Sequence, residues 1–128
     1  MGYCGMNHLQ DSDRASDMAA RVEDGIVKSL NAHLKDGFDE TNCYNTDPYE
    51  DIGLFFKDII TPAAKSSGAF LVNDEMQEIA RKALKGLNKK IKNAQKNKKE
   101  WDSENLKDHL GYWRSMIKAL NYYIENCW

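Results

Sequence analysis

ENLKDHLGYWRSMIKALNYYIEN, residues 104–126, is the stretch that decides the fold class of this chain. Its large apolar residues recur at alternating steps of four and three, the period of one face of an α-helix. They are Leu106, Leu110, Trp113, Ile117, Leu120 and Ile124. No proline interrupts the pattern, and Asp102 or Ser103 can cap the first turn. The stretch therefore predicts an amphipathic helix from Glu104 to Asn126 that packs against another helix.

A helix with a matching apolar stripe is predicted just before it, from Asp74 to Lys98. Asn73 can cap this helix, and its stripe comprises Met76, Ile79, Ala80, Ala83, Leu84, Leu87, Ile91 and Ala94. Only a short turn at Lys99–Trp101 separates the two helices, so they are predicted to form a C-terminal antiparallel hairpin. The residues predicted to meet across it are Leu84, Leu87 and Ile91 on one side and Trp113, Ile117 and Leu120 on the other.

The first half of the chain predicts two more helices. One runs from Asp13 to Asp36, with capping oxygens in residues 11–13, and its apolar face comprises Ala15, Met18, Ala19, Val22, Ile26, Leu30 and Leu34. Gly25 interrupts this helix, weakening it by about 1 kcal/mol relative to alanine, and indicates a close contact with another helix. The other helix begins at Asp47-Pro48, with Glu50 at the capping-box position.

The segment after this second helix is less determined by its sequence. Thr61-Pro62 predicts either the end of the helix or a kink. The apolar run at residues 69–72, AFLV, fits a short strand as well as a helix, and its length does not decide between them.

Composition predicts one globular domain spanning residues 1–128. Of the 128 residues, 41% are hydrophobic and 30% are charged, and no apolar run has the length of a membrane span. The N-terminus has neither the basic nor the apolar region of a signal peptide. Cys4, Cys43 and Cys127 are odd in number and widely spaced, which favours reduced thiols over a disulfide framework. We therefore expect an all-α bundle of about four helices in the cytoplasm, with no membrane association.

The N-terminal segment carries a family resemblance. Met1-Gly2, Gly5 and Leu9 precede a small acidic box at Ser12–Asp17, and this order resembles the opening of the domain of unknown function 4259 family. Tyr3-Cys4 stand where that family has a Trp, and Asn7 replaces its second Gly. The resemblance covers roughly the first 20 residues. It implies a small protein of bacterial or bacteriophage origin and supplies no activity.

The acidic box also raises the question of a metal site. Carboxylates at Asp11, Asp13 and Asp17 could hold Mg²⁺ or Ca²⁺, but the spacing lacks the remaining ligands of a calcium loop, and helix capping explains the box more simply. His8, His33 and His109 are isolated, with no zinc-type spacing and no nucleophile elbow. The sequence thus predicts no catalytic residue, metal site or cofactor, and it favours a protein that is not an enzyme without deciding the point.

The feature that most invites a function is a row of lysines on the predicted third helix. They are Lys82, Lys85, Lys89, Lys92, Lys96 and Lys99, at steps of three and four, with Arg81 and Lys90 flanking them. No acid occurs from Ala80 to Lys99, whereas residues 1–60 carry 12 acids and 5 bases. The row fits a solvated face, a docking surface for an acidic protein, or a phosphate-tracking edge.

These observations lead to a ranked functional expectation. A small non-catalytic helical protein that binds another protein comes first, with homo-oligomerisation left open. A nucleic-acid-binding module that uses the lysine row is the alternative. The net charge of −2 counts against a dedicated nucleic-acid binder.

Overall fold

The structure, a computed structural model, describes residues 8–36, 47–67 and 70–127, with side chains for 14–35, 47–66 and 70–127. All regular elements in these ranges are helical, which confirms the predicted all-α bundle. The α-helices are α1 (His8–Asp36), α2 (Pro48–Phe55), α3 (Thr61–Ser67), α4 (Asp74–Lys96) and α5 (Ser103–Asn126). A π-helical turn, Phe56–Ile60, joins α2 to α3, and a 3₁₀ turn, Lys98–Glu100, follows α4. None of the described helices is long and apolar enough to span a membrane.

Helices α4 and α5 form the predicted hairpin. The side-chain amide of Gln77, near the start of α4, donates hydrogen bonds to the carbonyls of Tyr123 (3.2 Å) and Cys127 at the end of α5, so the helices are antiparallel. Leu87 and Trp113 are buried, as the spacing predicted. Leu120 is buried too, whereas Leu84, Ile91 and Ile117 are half-buried; Leu84 and Ile117 each line a surface groove.

Helix α2 packs across the hairpin at a glycine. A Cβ atom added to Gly53 would lie 2.9 Å from Leu87 Cδ1 and 3.0 Å from Met116 Sδ, so the absence of a side chain permits the three helices to approach. Buried residues of the three helices and of the π-helical turn, among them Ile52, Phe56 and Leu120, complete the core. The centre of the core therefore lies between α2, α4 and α5, and α1 adds Val27 and Leu30 at its edge.

Two caps set the starts of α2 and α4 as the sequence predicted. The Asp47 carboxylate accepts hydrogen bonds from the backbone amides of Tyr49 (2.9 Å) and Glu50 (3.4 Å), and Pro48 follows as the first helical residue. Asn73 Oδ1 accepts from the Met76 amide at 2.8 Å. Helix α5 differs, because Asp102 stands at its cap position without a side-chain capping bond.

The predicted kink at Thr61-Pro62 is a π-helical turn, and the helix continues beyond it. Proline has no amide to donate, and its ring crowds the carbonyl four residues earlier, so a wider turn before it relieves the clash. The Thr61 amide accordingly bonds to the Phe56 carbonyl, five residues back. The Thr61 hydroxyl donates to the Ala119 carbonyl at 3.3 Å, which fixes the turn against α5.

Helix α1 departs from prediction in two respects. It begins at His8 rather than Asp13, so residues 11–13 lie inside the helix and the prediction that they cap it is wrong. Carboxylates suit the positive end of a helix dipole as well as a cap, so the composition alone did not separate the two positions. Gly25 makes no close contact within the described chain, since a Cβ there would have no neighbour within 4 Å.

The run at 69–72 is not a strand in the part that the structure describes. Phe70 and Leu71 form a turn, and Leu71 has φ of 67°, which is rare for a bulky residue. The Leu71 amide donates to Glu23 Oε1 at 2.6 Å, and its carbonyl accepts from the Tyr123 hydroxyl. Helices α1 and α5 therefore hold this backbone from both sides while the Leu71 side chain enters the core.

Candidate functional site

The lysine row lies on the solvent side of α4. All six lysines are exposed, which agrees with the predicted separation of the row from the apolar stripe. Within the described residues, the row has one ion pair, from Lys82 to Glu78 of the same helix at 3.4 Å. Helix α4 ends at Lys96, so the helical part of the row ends there and its last predicted member, Lys99, lies on the 3₁₀ turn.

Helix α1 turns part of this row into a groove, which we call the basic groove. It has a volume of about 490 Å³, and its lysines are Lys35 of α1 and Lys82, Lys85 and Lys89 of α4. Its other lining residues are Asn31, Leu34, Tyr49 and Gly86. The Tyr49 ring rests directly on Gly86, where an added Cβ would overlap it. No acidic residue lines the basic groove, so four positive charges surround an apolar floor.

Lys90, which the sequence placed beside the row, has a different environment. Its ammonium group contacts the Asp47 carboxylate, lies 3.9 Å from Glu50 Oε1 and sits 5.7 Å from the centre of the Trp113 ring. Glu50 Oε1 also accepts a hydrogen bond from Trp113 Nε1 at 2.6 Å, so Glu50 ties α2 to the hairpin. Lys90 therefore belongs to an internal polar network and does not add to the exposed positive face.

The opposite end of the α1–α4 edge is acidic. Glu23 and Asp24 of α1 line a groove with Asp74 and Glu75 of α4. Helices α1 and α4 run side by side in the same direction, so this acidic end comes first and the basic groove follows along the same edge. The edge is thus an electric dipole rather than a uniformly positive surface.

Acidic side chains of α1 and α2 could have paired with the lysine row and neutralised it. Those that the structure describes on α2 have other partners. Glu50 contacts Lys90 and Trp113, and Asp51 Oδ2 lies 2.8 Å from His33 Nε2. Asp39 and the side chain of Asp36 lie outside the described residues. Among the residues described, no acid of another helix covers the lysine row, which is therefore an open edge.

A second groove, between α1 and α2, contains residues that could suggest catalysis. This α1–α2 groove, of about 680 Å³, is lined by Ser29, His33 and Asp51 together with the apolar residues Val22, Ile26, Leu30, Ile52 and Phe55. A Ser–His–Asp hydrolase also needs amides free to stabilise an oxyanion. Ser29 lies in the middle of α1, where the surrounding amides are engaged in helical hydrogen bonds. The groove therefore brings together Ser29, His33 and Asp51, with Ser29 inside a helix rather than at a helix start.

A third groove, between α3 and α5, was not predicted from the sequence. Its volume is about 750 Å³, and its basic residues are Lys57, Lys65, Arg114 and Lys118. The Lys65 ammonium group lies 4.0 Å from the centre of the Tyr122 ring. These residues are far apart in sequence and come together through the π-helical turn, so no spacing pattern could have revealed them.

The described side chains contain no group of three or more His, Cys, Asp or Glu residues arranged to hold an ion. Asp17 is exposed, while the side chains of Asp11 and Asp13 lie outside the described residues.

Comparison with known proteins gives no identification. No protein family model matches the chain, and neither the curated proteins nor the solved structures contain a significant match. The resemblance of the N-terminus to the domain of unknown function 4259 family therefore stays a prediction.

Proposed function

We propose that this chain is a non-catalytic binding protein of bacterial or phage origin that docks an acidic surface of a partner protein onto the lysine row and the basic groove. The observation that carries the proposal is the basic groove, where four lysines surround the Tyr49 ring and Leu34 with no acid among them. Protein interfaces commonly combine an apolar centre with a polar rim. Tyr49 is 37% exposed, so its ring is accessible to a partner side chain.

The charge distribution favours a protein partner over nucleic acid. A phosphate backbone is a uniform polyanion, and along the α1–α4 edge it would leave the lysines and meet Asp74, Glu75 and Glu78. A protein surface can place acids opposite the lysines and bases opposite the acidic end. One observation still favours nucleic acid as the second candidate: the acid-free stretch from Ala80 to Lys96 forms a positive edge about 25 Å long at 1.5 Å per residue.

Direct binding measurements separate the two candidates. Fluorescence anisotropy would follow a labelled oligoglutamate peptide and a labelled DNA duplex titrated with the protein at low and at physiological salt. We expect the protein to bind the peptide, and at physiological salt to bind the DNA with lower affinity than the peptide. Tighter binding of DNA at physiological salt would replace the protein-binding proposal with the nucleic-acid one, and failure of both probes at low salt would contradict the use of this face for anion binding.

A charge-matched pair of variants assigns the binding to the α4 face. The test variant carries Lys85→Glu, Lys89→Glu and Lys92→Glu, while the control carries Lys57→Glu, Lys107→Glu and Lys118→Glu. All six lysines are exposed or half-buried, and the two variants have the same net charge. We expect the test variant to lose at least tenfold in affinity for the peptide and the control to keep most of it. Equal losses would show that binding does not depend specifically on the α4 face and would contradict the proposal.

A further inference from the structure

The third groove, which we call the α3–α5 groove, carries positive charge that its surroundings do not neutralise. Its basic residues are Lys57 and Lys65 on one wall and Arg114 and Lys118 on the other. None of the four makes an ion pair within the described residues. The one acid among the lining residues is Glu125. Like charges that line the two walls of a cleft concentrate its electric field and attract an anion.

Two contacts show how the walls of this groove are aligned. The Thr61 hydroxyl donates to the Ala119 carbonyl, and the Lys65 ammonium group lies 4.0 Å from the centre of the Tyr122 ring, one turn further along both walls. The two walls therefore run in the same direction. Lys57, one turn before Thr61, lies level with the part of α5 that is one turn before Ala119.

The π-helical turn brings the two lysines of the first wall onto the same face. Its hydrogen bonds span five residues instead of four, so it accommodates one extra residue. Lys57 and Lys65, eight apart in sequence, are therefore placed like two residues seven apart in an α-helix, which is close to two full turns. On the second wall, Arg114 and Lys118 are one turn of α5 apart. Three of the cations thus meet at the end of the groove away from Glu125.

We infer that the α3–α5 groove binds a small soluble organic phosphate, with its phosphoryl group between Lys57, Arg114 and Lys118. A phosphate monoester carries about two negative charges and three acceptor oxygens, so it can meet several cations at once, whereas a carboxylate carries one charge. The Arg114 guanidinium group can bind two of these oxygens in parallel. The organic group then lies over the apolar lining residues, which include Pro62 and Ile117.

The dimensions of the groove favour a small molecule as its occupant. Its volume of about 750 Å³ lies within the range of roughly 300–1,000 Å³ that is typical of sites for small ligands. The basic residues of the second wall extend over one turn of α5, whereas the lysine row extends along most of α4. The α3–α5 groove shares no lining residue with the basic groove, so this inference is independent of the proposed function.

An NMR titration of the isotope-labelled full chain with phenyl phosphate measures the binding and locates it. We expect saturable shifts of backbone amides on both walls of the α3–α5 groove, and an affinity at least fivefold higher than for inorganic phosphate or for benzoate. Each of these two probes carries only one half of the ligand. Equal affinity for either of them, shifts confined to the lysine row, or no saturation at millimolar concentration would overturn the inference.

A membrane lipid could present the same phosphoryl chemistry, and vesicles test that source. Phosphatidylcholine vesicles that contain phosphatidic acid should leave the chain in the supernatant after sedimentation. If the chain sediments with the vesicles, and the substitutions Arg114→Gln and Lys118→Gln release it, the groove binds a lipid headgroup and the inference of a soluble ligand is wrong.

Charge-matched variants assign the binding to the groove. One variant carries Arg114→Gln and Lys118→Gln, and the control carries Arg21→Gln and Lys107→Gln, at exposed positions that line none of the described grooves. The first should bind phenyl phosphate at least fivefold more weakly, and the control should change less than twofold, with circular dichroism showing that both are folded. Equal weakening would overturn the inference. The charge-reversal variant of the α4 face should bind phenyl phosphate like the native chain, so the two sites can fail separately.

Discussion

Replacing the glycines at positions 53 and 111 by alanine makes the same chemical change in two different environments. Within a helix, alanine is favoured over glycine by about 1 kcal/mol. At Gly111 an added Cβ has no neighbour within 4 Å, so Gly111→Ala should gain most of this amount. At Gly53 the same atom would lie 2.9 Å from Leu87 Cδ1 and 3.2 Å from Met116 Cβ.

The cost at Gly53 follows from the surroundings of those two residues. Leu87 and Met116 are both 0% exposed, so neither side chain can move into solvent to make room. Overpacking a well-packed core costs about 1–3 kcal/mol. After the gain in helix propensity, Gly53→Ala should lower the free energy of unfolding by about 1 kcal/mol, and the two variants should differ by about 2 kcal/mol.

Urea unfolding followed by circular dichroism at 222 nm measures both variants against the native chain. The difference in the free energy of unfolding is the informative quantity, because the helix-propensity gain is common to both substitutions and cancels. If the two variants are stabilised to the same extent, helix α2 does not meet α4 and α5 at Gly53, and the packing described for the core is wrong.

Three smaller predictions follow from individual contacts. Asn73→Ala should lose about 1 kcal/mol by removing the α4 cap, whereas Asp102→Ala should change the free energy of unfolding little because Asp102 makes no capping bond; equal losses in urea unfolding would contradict this. Burial raises the pKa of Tyr123 from 10.0 to about 12, so the folded state keeps its proton longer, and stability should fall from about pH 10 to pH 12 by on the order of 2 kcal/mol. Tyr123→Phe should remove this loss of stability between about pH 10 and pH 12. If the loss remains in the variant, another titrating group causes it. Cys127 is buried and burial raises the pKa of its thiol, so in a chain with Cys4→Ser and Cys43→Ser it should react with iodoacetamide at pH 8 far more slowly than the urea-unfolded chain. Similar rates in the two states would show that the thiol is accessible.

The elements that the sequence predicted well are those whose signals are local. The apolar face of α5 is recognised from apolar residues that recur at steps of three and four. The start of α2 is recognised from the capping residue Asp47 and the proline that follows it. The start of α1 was misplaced because the acids at 11–13 suit both a cap and a first turn. Gly25 and Gly53 look alike in sequence, yet only Gly53 is a point of close packing, and that difference depends on which helices lie opposite.

The same distinction applies to the candidate site. The lysine spacing on α4 predicted the exposed row, because periodicity within one helix fixes which side chains share a face. It could not predict that Lys35 joins the row across the basic groove or that Lys90 turns towards Asp47. Both outcomes depend on where α1 and α2 pack against α4. The spacing of residues within α4 does not determine which helices, distant in sequence, pack against it.

The backbone amide of Leu71 can report on the motion of helix α1 through hydrogen exchange. Its amide hydrogen is held by a side chain of α1, the Glu23 carboxylate, so protection from exchange with solvent deuterium depends on α1 remaining in place. Amides in the interiors of α4 and α5 are held within their own helices and exchange only when those helices open. Comparing the exchange rate of the Leu71 amide with the rates of the α4 and α5 amides therefore reports how often α1 detaches from the rest of the fold.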